Sequence, residues 1–200
     1  MRHVICACLV LFALWLAPLS VTTAEETPPD PIEAVWRPQR LTFFYRSEGR
    51  MYACDILENK VRRILTQFGA REQIEVRSVG CHDFAGIAQL EVIMESPVIA
   101  SPENIRAITQ YDSEQELIAR VRGVHLPTAE ELERFPAVWE SVSIQRAPKV
   151  HLETADCALV QQLRRQILPK MSVQIVKDIE RADCTYAHPR MTVMALVAKL

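Results

Sequence analysis

Two spacings coincide in this chain. Cys54 and Cys157 lie 103 residues apart, and so do Cys81 and Cys184. The triplet "AVW" occurs at 34–36 and again at 137–139, at that same offset. Trp36 and Trp139, one in each triplet, are the only tryptophans beyond Trp15. Three anchors at one offset imply a unit built twice. That limits the fold more than any other feature, because each copy must close around its own pair of cysteines.

Local patterning agrees with the division. Between Cys54 and Cys81, the residues Leu57, Val61, Ile64, Leu65 and Phe68 recur at helical spacing. Asp55 is placed to cap the start of that helix, and Gly69 to close its end in a left-handed conformation. Between Cys157 and Cys184, Leu159, Val160, Leu163 and Ile167 form the matching stripe, with Asp156 as cap and Pro169 as stop. Alternating runs flank each helix. "RLTFFYR", "SEG" and "RMYA" read as a hairpin before the first, and "SVSIQ", "RAPK" and "VHLE" before the second. Strands are expected at 74–77, from Ile87, at 173–176 and from Met191.

The expected fold class is therefore α+β. Two similar β(β)αββ units, residues 34–95 and 137–200, each lay a helix on a small, mainly antiparallel sheet. Residues 96–136 join them as a helical connector, with helix starts at Ser101, Ser113 and Thr128; the last two carry Ser/Thr-x-x-Glu capping boxes. Each tryptophan is expected just before its unit's first strand, mostly buried on its own sheet. Residues 25–33, rich in proline and acid, read as an extended, weakly ordered lead-in.

The first 24 residues read as a signal peptide. Arg2 and His3 precede an apolar run at 4–19, and small residues lead to Ala24, ahead of Glu25. Sixteen residues is short for a membrane span, which needs about 20. Cleavage after Ala24 removes Cys6 and Cys8 and leaves four cysteines in an exported chain, a setting that favours disulfides. Four cysteines allow three pairings. A unit that closes on itself before it is copied selects Cys54 with Cys81 and Cys157 with Cys184. Each such loop is worth roughly 3–4 kcal/mol on the chain-entropy model. The chain has no CxxC or CxxH pair, so no metal or dithiol chemistry is assigned to these cysteines.

Candidate chemistry is sparse. His82 follows Cys81 and His188 lies four residues after Cys184, so both units carry a histidine at one end. These are the two candidate site histidines, and no catalytic residue is assigned. Arg62 with Arg63, and Arg164 with Arg165, recur in the two helices as candidate anion-binding pairs. A formal net charge of -2 offers no bulk attraction for nucleic acid. Only 5 glycines are present, and no GxSxG or Walker pattern occurs. No cofactor is assigned, and no membrane span is expected once the signal is removed.

"YACDILENKVRRILTQFGA…GC", from Tyr52 to Cys81, resembles the Y-x-C-D-x-L…K-V-R…G-A…G-C signature of a family of uncharacterised secreted proteins from Gram-negative bacteria. "LPTAEELERFPAVW", from Leu126, is similar to that family as well. The resemblance implies a periplasmic or secreted location and no catalytic residues. The expected function is a non-catalytic binding or structural module of the cell envelope, partnered by an envelope protein or an anionic envelope polymer. The alternative is an envelope hydrolase with a histidine–carboxylate site at His82 or His188. A pocket holding either histidine against a carboxylate favours the enzyme; a flat exposed apolar patch favours the binder.

Overall fold

The computed structural model describes residues 30–49, 51–144, 150, 152–153, 156–178 and 191–199. Its strands are β1 (Ile32–Arg46), β2 (Tyr52–Ala53), β3 (Glu75–Val79), β4 (Phe84–Ala85), β5 (Ile87–Ile99), β6 (Arg134–Ser143), β7 (Val173–Asp178) and β8 (Met191–Ala198). Its helices are α1 (Cys54–Gln67), α2 (Pro102–Thr109), α3 (Ser113–Arg122) and α4 (Cys157–Gln166). The fold is α+β, and every described strand pairing is antiparallel.

The helical stripes form as their spacing requires. Leu57, Val61, Ile64 and Leu65 of α1, and Leu159, Val160 and Leu163 of α4, are buried in one core cluster. Phe43, Leu90, Val92 and Val193 rise into the same cluster from the sheet. Both helices therefore lie on one face of the sheet.

That sheet is single. Its six strands run β3-β5-β1-β6-β8-β7, joined at the centre by β1 and β6. Two separate small sheets were expected, and the seam replaces them. The seam is short: only Ile32, Glu33, Ala34 and Val35 pair with β6, opposite Ala137, Pro136, Phe135 and Arg134. The two AVW triplets consequently lie inside β1 and β6, not ahead of them. Trp36 and Trp139 are only partly buried and pack into one shared cluster with Ala34, Phe135, Ala137 and Leu196. Trp36 stacks on Phe135 from across the seam, with ring centroids 4.5 Å apart. Each ring packs at one end of the seam, so the tryptophans cover residues contributed by both halves and not a separate sheet of their own.

Several local expectations change. β2 pairs with β4, not with β1, so the first hairpin does not form. The second expected hairpin falls largely outside the described residues. α1 begins at Cys54, which puts Asp55 in its first turn, and the N-cap is Ala53 with no side-chain bond. Asp156 sits at the N-cap of α4 but does not cap it. In the connector, α2 starts at Ser101 as expected, whereas the capping box of α3 uses Asp112 and Gln115, one residue early. The stretch from Thr128 is a turn, closed by Glu131 accepting from the Thr128 amide. Pro136 lies in β6. Among the described residues no helix is long and apolar enough to cross a membrane.

The end of α1 ties the two halves together. The Ala70 amide donates to the Leu65 carbonyl and the Gly69 amide to Thr66, the paired bonds of a Schellman stop. Gly69 has φ +92°, and a Cβ there would stand 2.5 Å from the Leu196 carbonyl oxygen in β8. Gly69→Ala therefore combines backbone strain with a clash against fixed backbone. We expect a loss of about 2–3 kcal/mol, read as an earlier urea midpoint. An unchanged midpoint would show that β8 yields at no cost.

Candidate functional site

Beyond the seam, β1 and β6 each have one edge that no strand pairs among the described residues. Backbone direction alternates along a strand. Pro136 accepts from the Lys199 amide on the β8 side, so Val138, Glu140 and Val142 face β8 and Trp139, Ser141 and Ser143 face away from it. Likewise Ala100 donates to Glu33 on the β5 side, which turns the even-numbered residues of β1 away from β5.

The two edges are treated differently. On β1, α4 supplies glutamines in place of a strand. The Phe44 amide donates to Gln166 Oε1 at 2.9 Å while Gln166 Nε2 donates to the Phe44 carbonyl at 2.8 Å. Gln162 repeats the pattern on Arg46, at 2.8 Å in both directions. A primary amide carries a donor and an acceptor side by side, as a strand residue does. Gln166→Leu keeps the volume and removes both partners. We expect a loss of about 1–3 kcal/mol together with faster exchange of the Phe44 amide; unchanged exchange would show that the glutamine does not seal the edge.

On β6 no such seal is found among the described residues. Trp139, Ser141 and Ser143 have no ladder partner on the side away from β8 among the described residues. Beside this edge, on the helix side, lies a groove of about 480 Å³. Arg62, Arg63, Thr66 and Gln67 of α1 form one wall; Glu140 and Val142 of β6 with Val197 of β8 form the other, and Glu72 stands at the lip. The α1 residues point there because the apolar stripe at 57, 61, 64 and 65 turns toward the core. Arg62 is anchored, donating through Nε to the Ile74 carbonyl at 3.1 Å and through its guanidinium to Asn59. Arg63 is exposed and makes no ion pair among the described residues.

A second cleft, of about 530 Å³, lies on the opposite face between the connector and the sheet. Arg71 spans its rim, bonded to Glu95 at 2.8 Å and held over the Trp36 ring at 5.3 Å. The Glu95 bond makes the Arg71 guanidinium hold its proton more tightly. Burial acts the opposite way on Arg37, which donates to the Lys170 carbonyl.

The residues singled out in the sequence scatter. Arg62 and Arg63 line the groove, but Arg164 and Arg165 do not, so the two arginine pairs form no common patch there. Cys54 and Cys81 are bonded, with Cα atoms 6.1 Å apart. Cys157 is also disulfide-bonded; Cys184 and His188 lie outside the described residues. His82 is exposed, with no described carboxylate in hydrogen-bond reach. Among the described histidines, the one that meets a carboxylate is His125, 2.9 Å from Glu131 on the connector, where both side chains are exposed. Among the described residues, no three His, Cys, Asp or Glu side chains come together as a metal would need.

Sequence reasoning missed a buried ionic cluster. Asp156 is fully buried, accepts from the Tyr52 hydroxyl, from Lys60 Nζ at 2.7 Å and from the Glu153 amide at 2.7 Å, and so ties α4 to α1. An aspartate where the stripe calls for a cap was the only signal for it.

Comparison with protein-family models, with curated proteins and with solved structures finds no match to this chain.

Proposed function

We propose that this chain is an exported, non-catalytic binding module of the bacterial cell envelope, and that the groove between α1 and β6 holds an extended polypeptide segment. One observation carries the reading. Among the described residues, the edge of β6 along an apolar groove has no strand partner, while the comparable edge of β1 is sealed by Gln162 and Gln166. Strand addition draws affinity from backbone bonds and selectivity from flanking pockets, and this groove offers both. The open face of β3-β5-β1 adds support: Phe44, Val79 and Ile87 are 58%, 54% and 80% exposed there. The N-terminal signal pattern, the cysteine pairs and the resemblance from Tyr52 to Cys81 support a periplasmic or secreted location.

The same proposal includes duplication of the two halves. Outward from the seam the strand order is β1, β5, β3 on one side and β6, β8, β7 on the other. Glu33 pairs with Pro136, its own counterpart at the 103-residue offset, so the axis relating the copies passes through that pair. The bond of Cys157 to Cys184 belongs to this reading too.

The binding claim is tested by titrating an extended-peptide library into the labelled protein and following backbone shifts. Perturbations are expected at 139–143 and at 62–67. Perturbations centred on His82 would instead favour the hydrolase. Export predicts that protein from its native host begins at Glu25, within a residue or two; N-terminal sequencing that finds Met1 on a membrane-bound form contradicts it.

A further inference from the structure

We infer that α3 is a self-association surface, on which a second copy of this chain docks antiparallel about a two-fold axis at Ile118. The surface lies apart from the groove and does not depend on it.

α1 and α4 turn their apolar stripes into the core, and α3 does the opposite. Its buried residue is Ala119, and its Gln115 lines the cleft between the connector and the sheet. Leu117, Ile118 and Val121 are left on the outer side, with Leu117 59% and Val121 78% exposed. Residues three and four apart share a side of a helix, so the three form one patch. Both ends of the helix are fixed. The capping box of Asp112 and Gln115 closes its start. At its end Gly123 turns the chain at φ +63°, and the Val124 amide donates to the Ala119 carbonyl at 2.9 Å. That bond holds Val124, also exposed, just past the patch. A preformed helix needs little ordering when a partner arrives.

Charge selects the partner. Glu114, Ile118 and Arg122 follow at four-residue steps, so acid, apolar residue and base lie in line along the patch. Glu114 and Arg122 are exposed, and neither is ion-paired among the described residues. Turned end for end about Ile118, this line is its own complement. Glu114 meets Arg122 of the second copy, Ile118 meets Ile118, and Leu117 lies against Val121. That is the isologous geometry of a two-fold dimer. A parallel copy would set like charges together. The helix dipole accounts for an acid in the first turn and a base in the last. It does not account for the apolar residues between them, which stay in water unless something covers them.

About six residues a side fall well short of the roughly 20–30 of a stable interface, so the dimer is weak and forms only at high concentration. Gln115 sits at the cleft on the sheet face opposite the groove, so pairing through α3 leaves both grooves open. If the groove binds as proposed above, the dimer binds bivalently.

Sedimentation equilibrium of the oxidised chain beginning at Glu25, from about 10 μM to about 1 mM, tests the inference. The parent is expected to pass from monomer to dimer over this range, and Val121→Glu to stay monomeric. Glu114→Arg and Arg122→Glu each turn both charge contacts repulsive and should weaken the dimer roughly tenfold. Mixed one to one, these two variants again set acid against base and should recover the parent's affinity. A folding defect in either variant is not repaired by mixing, so recovery identifies a surface effect. A parent that stays monomeric at the highest concentration, a Val121→Glu chain that still dimerises, charge variants that self-associate as well as the parent, or no recovery on mixing would each overturn the inference.

Discussion

Asp156→Ala is expected to remove about 3–5 kcal/mol of stability, read as a large shift of the urea midpoint. The carboxylate is fully buried and its partners come from three places: Tyr52 in β2, Lys60 in α1 and the Glu153 amide ahead of α4. Removing it takes a charged acceptor away from the Lys60 ammonium, whose side chain is 17% exposed, and from the Tyr52 hydroxyl and the Glu153 amide. A largely buried ammonium is costlier to hold once the carboxylate beside it is gone, so the double change Asp156→Ala with Lys60→Met should recover part of the loss. Asp156→Asn keeps an acceptor but not the charge and should fall between. A single alanine variant within 1 kcal/mol of the parent would mean that water reaches the site and the cluster does not join the helices.

Replacing Cys54 and Cys81 together by serine should cost about 3–4 kcal/mol, measured the same way under oxidising conditions. The bond closes a separation of 27 residues that contains all of α1 and β3. Its ends sit at the first residue of α1 and just beyond β3, beside the two-residue β2 and β4 pair, which is too short to hold on its own. The Cys54 amide also donates to the Asp83 carbonyl at 3.3 Å, a long bond that the disulfide keeps in place. A loss below 1 kcal/mol would show that the buried face of α1 anchors this region without the bridge.

What could be read early was whatever repeats over a few residues. The α1 stripe at 57, 61, 64 and 65 is determined by a 3.6-residue period, and a period needs no distant partner. The strands from Ile87 and Met191 follow from alternation in the same way, and Gly69 as a helix stop follows from the run's end. The failures share another cause. Tyr52 and Ala53 look like the return arm of a hairpin because they follow a turn, yet two residues carry too little pattern to choose between β1 and β4. The box at Asp112 and Gln115 outcompetes the one at Ser113 because neighbouring polar residues offer nearly equal caps.

By itself, then, the sequence determined the longer helices and strands, the buried faces of α1 and α4, the partner of Cys54 and the α+β class, all set by short-range spacing or by counting. Only the tertiary structure decided that the two halves share one sheet through four residue pairs of β1 and β6, and that Asp156 turns from capping to binding Lys60. It alone decided that Gln162 and Gln166 seal one strand edge while the other borders a groove. These contacts join residues roughly a hundred positions apart. Their free energy depends on which surfaces meet after the elements form, and no local period records that choice.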